Sequence, residues 1–232
     1  MPRIARIVAP GYPHHITQRG NRRQTTFFSN DDYRAYIDLM GTWCAEYGVE
    51  IWAYCLMPNH AHLVAVPREK DSLNLAIGEA HRRYTRMINF REGWRGHLWQ
   101  GRFASYVMDE KYLLACARYV ENNPVRAKLS DQADGWKWSS ARAHISGKND
   151  RLVNVGPLLD LVKKDWGKFL NMPVPDSEIN DMQKHERTGR PLCSSWFLDQ
   201  LERLLNRSLK LKKPGRKPKK NNQKKNRYDL QL

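Results

Sequence analysis

Residues 50–66, EIWAYCLMPNHAHLVAV, decide the fold class before any other part of the chain is read. Glu50 to Met57 and His60 to Val66 are two apolar, strand-forming runs separated only by Pro58 and Asn59, so an antiparallel hairpin is the economical connection. The first run is apolar on both faces, which predicts a central strand. Along the second, side chains alternate: His60 and His62 share one face, while Ala61 and Leu63 point to the other, toward a core. Two neutral imidazoles on one strand face suit a divalent metal. A polar sheet face with incidental histidines is the other reading of the same residues.

Working outward, strands and helices alternate, which predicts an α+β domain. Upstream, Tyr12 to Gln18 reads as a first strand ending in the turn signal Arg19-Gly20-Asn21. Ser29 or Asn30 then caps a helix with Asp31 and Asp32 in its first turn and Gly48 just past its end. Its stripe of Tyr33, Tyr36, Ile37, Met40, Trp43, Cys44 and Tyr47 is core. Downstream come a second helix over Ser72 to Phe90 with Arg82, Arg83 and Arg86 off its apolar face, and a strand over Phe103 to Met108. A third helix over Glu110 to Asn122 is stopped by Pro124. Two weaker helices, near Ser177 to Arg187 and Trp196 to Asn206, lead into the C-terminal tail.

The 232 residues are 41% hydrophobic, enough for a sizeable core, and carry a formal net charge of +16, which makes a polyanion the first partner to consider. The charge is concentrated: residues 207–227 hold 11 Lys and Arg and no Asp or Glu. That tail has almost no apolar content after Leu211 and reads as disordered when alone. No run reaches the ~18 to 20 apolar residues of a membrane span, and Cys44, Cys55, Cys116 and Cys193 form no C-x-x-C pair. A reduced, cytoplasmic protein with buried thiols is the expectation.

The third helix offers a partner for the histidines. Leu113, Cys116, Ala117 and Val120 define its apolar stripe, Tyr119 falls at the border, and Asn123 lies four residues on, so a phenol and an amide reach one small volume. A tyrosine anchoring the helix edge, with Asn123 as a cap, fits the same spacing.

Together, Pro58-Asn59-His60-Ala61-His62-Leu63, Trp99-Gln100-Gly101-Arg102-Phe103 and Arg118-Tyr119-Val120-Glu121-Asn122-Asn123-Pro124-Val125-Arg126-Ala127 resemble the single-tyrosine HUH transposases. With the Gln18 to Phe28 run and Trp138-Ser139-Ser140, they are most similar to the branch of REP-associated tyrosine transposases, over about residues 1–145. The resemblance implies a ferredoxin-like α+β core with a central antiparallel sheet and flanking helices; helical patterning and charge add a small helical extension over 146–206 and a basic tail over 207–232. It implies His60, His62 and Asn123 as ligands of Mg or Mn, and Tyr119 as a nucleophile that cleaves and rejoins single-stranded or hairpin DNA through a 5′-phosphotyrosine. The departure is Ala61, where the superfamily commonly has a bulky apolar residue. Arg22, Arg23, Arg82, Arg83, Arg86, Arg102 and Arg126 are the candidate phosphate contacts. Trp94, Trp99, Trp136 and Trp138 lie near basic residues, and at least half of them are expected in the core. Two rivals stand beside this reading: a non-catalytic binder of structured nucleic acid, and a metallohydrolase in which Tyr119 has no role. Neither monomer nor homodimer is favoured.

Overall fold

A computed structural model describes residues 5–163 and 165–210; the basic tail beyond residue 210 lies outside the described residues. Four strands, β1 (His14–Arg19), β2 (Val49–Met57), β3 (His60–Pro67) and β4 (Ala104–Val107), form one antiparallel sheet in the order β2-β3-β1-β4. With α1 (Asn30–Glu46) between β1 and β2, and α2 (Ser72–Glu92) between β3 and β4, this is the ferredoxin-like β-α-β-β-α-β arrangement.

Local chemistry explains the elements. Ser29 caps α1 by accepting from the Asp32 N–H, and the Asp32 carboxylate accepts from the Ser29 N–H at 3.1 Å, a reciprocal box contributing about 1 kcal/mol. Asp32 is buried and its charge is met by Arg91 near the end of α2, which ties the two helices together. The Asp109 side chain caps α3 (Glu110–Glu121) by accepting from the Tyr112 N–H at 3.2 Å.

Both sheet faces are covered. Ile16, Tyr54, Leu56, Ala61, Leu63 and Ala65 pack under α1 and α2 with Phe27, Tyr36, Tyr84 and Trp99. The small Ala61 is buried in the same layer as these aromatic rings. On the opposite face, Ala53, Cys55, Met57, Val64 and Tyr106 pack under Leu113, Cys116, Ala117 and Val120 of α3. Trp99 and Trp138 are buried, Trp136 is half-buried and Trp94 is 43% exposed.

One expectation is corrected. β2 is an outer strand, not a central one. Its two apolar faces arise from helices above and below, and its free edge is satisfied by the downstream chain. Leu56 N donates to Trp138 O at 2.8 Å, Ser140 N to Tyr54 O at 3.0 Å, and Asn154 N to Ile51 O at 2.8 Å. The other outer strand is treated likewise, Leu192 N donating to Val107 O at 2.9 Å.

The C-terminal half is helical: α4 (Asn123–Arg126), α5 (Ala141–Ser146), α6 (Gly156–Val162), α7 (Trp166–Leu170), α8 (Asp176–Thr188) and α9 (Ser195–Leu205). The last two match the expected helices within about two residues, whereas α4 to α7 are too short to print a 3.6-residue period. Cys44, Cys55 and Cys116 are buried free thiols, and Cys193 is a half-buried one. Among the described residues no helix is long and apolar enough to cross a membrane.

Candidate active site

Strand alternation places His60 and His62 on the face that carries α3, with their ring centroids 5.0 Å apart and the rings nearly perpendicular at 79°. α3 brings Tyr119 over them, its ring centroid 5.8 Å from that of His62. Imidazoles from β3 and a phenol from far along the chain thus meet on one side of the sheet.

The hydrogen-bond partners of each imidazole fix which nitrogen is free. Asn59 Nδ2 donates to Arg23 O at 3.0 Å, so Asn59 Oδ1 faces His60 and accepts from its Nδ1–H at 2.5 Å. His60 Nε2 is left with its lone pair. His62 Nδ1 lies 3.0 Å from His15 Nε2, which leaves His62 Nε2 as the nitrogen without a protein partner. Burial, followed by repulsion from Arg19, pulls His60 down to about 4. Burial also pulls His62 well below the usual imidazole range, with His15, His60, Arg19 and Arg126 adding to the effect. Both rings are therefore neutral at pH 7, the state a metal ligand needs.

Asn123 does not continue α3. The chain leaves that helix at Asn122, and Asn123 opens the short α4 beside Pro124. Its side chain is nonetheless buried, at 8% exposure, and its Nδ2 has no hydrogen-bond partner. An amide oxygen together with two imidazole nitrogens is a donor set that suits a hard or borderline divalent ion, although the unpartnered atom here is the amide nitrogen, a donor that does not ligate cations. Among the described residues, no three His, Cys, Asp or Glu side chains cluster to hold a metal.

The surroundings of Tyr119 tune its hydroxyl in opposing directions. Burial raises the phenol above its ordinary value, while Arg126, with its guanidinium carbon 4.3 Å from the ring centroid, draws it back down. Glu186 of α8 raises it again. Glu186 is fixed beside the site because Thr17, opposite His62 in the sheet register, donates to its Oε1 at 2.8 Å.

The candidate phosphate contacts divide between two places. Arg126 lies against Tyr119, and Arg22 and Arg23 are exposed in the turn that leans on Asn59. Both turn residues have positive φ, 52° and 62°, a left-handed conformation that non-glycine residues adopt at a cost of roughly 1 to 2 kcal/mol each. Gly20 makes the turn possible, since a Cβ there would stand 2.3 Å from Gln24 O. Arg82, Arg83, Arg86 and Arg102 lie instead on the α2 side of the sheet, away from the histidines. Arg82 and Arg83 are engaged by Glu79 at 2.6 and 2.8 Å. With Arg86, Met87 and the 90% exposed Phe90 they line a cleft of about 420 Å³. Arg102 shares a smaller cleft of about 190 Å³ with Arg6.

Sequence reasoning did not single out His15, Tyr106, Glu121 or Glu186. Alternation along β1 places His15 with Thr17 on the histidine face, a signal present in His14-His15-Ile16-Thr17. Tyr106 is its direct partner on β4. Glu121 and Glu186 have no such signal, because polar residues on helices read as solvent-facing.

The fold is thus a ferredoxin-like α+β sheet whose one face gathers imidazoles, a phenol and an arginine. Residues 10–123, which hold the sheet, α1, α2 and all of α3, match the family model described as transposase, IS200 like. The chain is similar to a protein of Haemophilus influenzae described as a REP-associated tyrosine transposase, 24% identical over 135 residues that cover 53% of this chain and 70% of the relative. Its fold is similar to a solved structure of a REP-associated tyrosine transposase bound to a REP hairpin, with a TM-score of 0.56 and 19% identity, over 67% of this chain and 93% of that one.

Proposed function

We propose that this chain nicks and rejoins single-stranded DNA at REP-type hairpins through Tyr119, with Mg or Mn held by His60, His62 and Asn123. The observation that carries the reading is the 5.8 Å approach of the Tyr119 and His62 rings over one sheet face, with both candidate ligand nitrogens of the histidines free. The hairpin as target is carried over from the related transposase that was solved with a REP hairpin bound.

The chemistry is an in-line displacement at phosphorus. The Tyr119 oxygen forms a bond to phosphorus and the P–O3′ bond breaks; the phenolic proton goes to solvent, and the departing 3′ oxygen takes one up as a free hydroxyl. A divalent ion would draw electron density from the nonbridging oxygens, where negative charge accumulates. Arg126 holds positive charge against the Tyr119 ring, which favours the phenolate character needed for attack. The covalent 5′-phosphotyrosine conserves the phosphodiester energy, so a 3′-hydroxyl can run the step backwards and join strands. Arg22 and Arg23, beside the turn that orients His60, serve as phosphate contacts on the way into the site.

The test is incubation of the full chain with 5′-labelled and 3′-labelled hairpin oligonucleotides plus Mg or Mn. A denaturation-resistant complex that retains the DNA 3′ of the cut, and that disappears in Tyr119→Phe and on chelation, is expected. Metal-dependent cleavage that survives Tyr119→Phe would identify a water-activating hydrolase instead. Hairpin binding without cleavage would identify a non-catalytic binder.

A further inference from the structure

β1 runs between β3 and β4, and this places three side chains in a row on the tyrosine face. His15 is directly opposite Tyr106 on β4 and diagonal to His62 on β3, whose direct partner is Thr17. Tyr106 Oη lies 2.9 Å from His15 Nδ1, and His15 Nε2 lies 3.0 Å from His62 Nδ1. The His15 and His62 rings are nearly parallel, at 8°, with centroids 5.2 Å apart. His15 is 0% exposed, Tyr106 1% and His62 2%, so no solvent competes for these bonds.

A chain of neutral donors and acceptors can run in two directions. If Tyr106 donates to His15 and His15 to His62, the single remaining proton of His62 sits on Nε2, and that nitrogen has no lone pair to offer. If His62 donates through Nδ1–H to His15 Nε2, and His15 through Nδ1–H to the Tyr106 oxygen, His62 Nε2 is a bare donor. We propose that His15 and Tyr106 are positioning residues that hold His62 in the second arrangement, presenting Nε2 outward, as Asn59 does for His60. The inference rests on His60 and His62 being metal ligands, and it says which buried groups make one of them competent. A ligating histidine commonly donates its other ring N–H to a fixed acceptor, and loss of that acceptor typically costs 10- to 100-fold in metal affinity. Here the acceptor is a second imidazole, itself fixed by a tyrosine, so the geometry of the ligand depends on three strands of the sheet.

The experiment is a titration of the full chain with Mn²⁺ alone, following the free ion by electron paramagnetic resonance. His15→Gln, His15→Phe and Tyr106→Phe are compared, each checked for cooperative melting and for hairpin affinity in EDTA. His15→Gln keeps an acceptor for His62 Nδ1–H and should stay within about threefold of the parent chain. His15→Phe keeps a ring but no acceptor and should bind Mn²⁺ about 10- to 100-fold more weakly. Tyr106→Phe should fall between the two, and hairpin affinity in EDTA should not change. Equal loss in the Gln and Phe variants would show that ring shape matters and not the acceptor, and would overturn the inference, as would Mn²⁺ binding within twofold of the parent in His15→Phe. If the parent binds Mn²⁺ no better than His60→Ala, the metal reading itself fails and takes this inference with it. Should the His15 variants not melt cooperatively, Tyr106→Phe, which deletes one hydroxyl, carries the decision.

Discussion

Arg126 is the cation set against the candidate nucleophile, and the balance there can be measured. Burial raises the Tyr119 phenol and Arg126 lowers it, so single-turnover adduct formation should climb with pH from 7 to 9 as the phenolate fraction grows. Arg126→Gln removes the opposing charge. Its rate at pH 7.5 is expected to drop about tenfold, the equivalent of ~1 to 2 kcal/mol of cation–ring attraction, and its pH profile to move upward. A profile that stays in place while hairpin affinity falls would assign Arg126 to DNA binding alone. At this scale much of the site is legible in the amino-acid sequence. Alternation puts His60 and His62 on one face, and helical spacing puts Tyr119 at the edge of its stripe. His15 is hidden because its neighbour His14 has an unrelated structural task, bonding the Ala9 N–H and the Tyr12 carbonyl from within the opposite layer.

The helix bearing Tyr119 is anchored by a residue two positions on. Glu121 is fully buried, and its carboxylate accepts from Ser140 Oγ at 2.5 Å, pairs with His144 Nδ1 at 2.7 Å and accepts from Trp166 Nε1 at 2.8 Å. These partners come from the β2 edge segment, α5 and α7, so one carboxylate joins α3 to three separate parts of the C-terminal half. Glu121→Ala would leave His144 and Trp166 without their buried acceptor and Ser140 with the Tyr54 carbonyl alone, and urea unfolding followed by tryptophan fluorescence should register a loss of about 3 to 5 kcal/mol. Glu121→Gln keeps one acceptor oxygen and should lose less. A loss under about 1 kcal/mol in the alanine variant would mean that α3 is held by its apolar face alone. Element by element, long periodic helices and the hairpin can be read from the chain, and the place of β2 in the sheet cannot. An outer strand sealed by its own downstream segment has the same apolar pattern as an inner one, and periodicity carries no information about what lies beside a strand.

Across the molecule, the buried histidines make folding sensitive to mild acid. Burial pulls His14 to about 4, His15 to about 3 and His81 to about 3, and pulls His62 well below its ordinary value. The folded state therefore refuses protons that the unfolded chain accepts below about pH 6.5. Since the unfolded state binds more protons across that window, stability is full above pH 6.5 and declines as pH falls, by up to about 1.4 kcal/mol per pH unit for each group. Melting temperatures measured in EDTA should hold steady from pH 7.5 to 6.5 and drop steeply by pH 5; a flat curve down to pH 5 would contradict the neutral, desolvated state assigned to these rings. The arrangement of arginines, on both sides of the sheet, is not legible in the sequence either, because the composition reports how much charge there is and nothing about where it faces. The sealed sheet margins have a consequence of their own. With Trp138, Ser140 and Asn154 bonded along β2, and Leu192 along β4, part of the backbone through which a second copy could extend the sheet is already taken. A second copy pairing edge to edge would first have to displace those segments, which works against sheet-to-sheet aggregation.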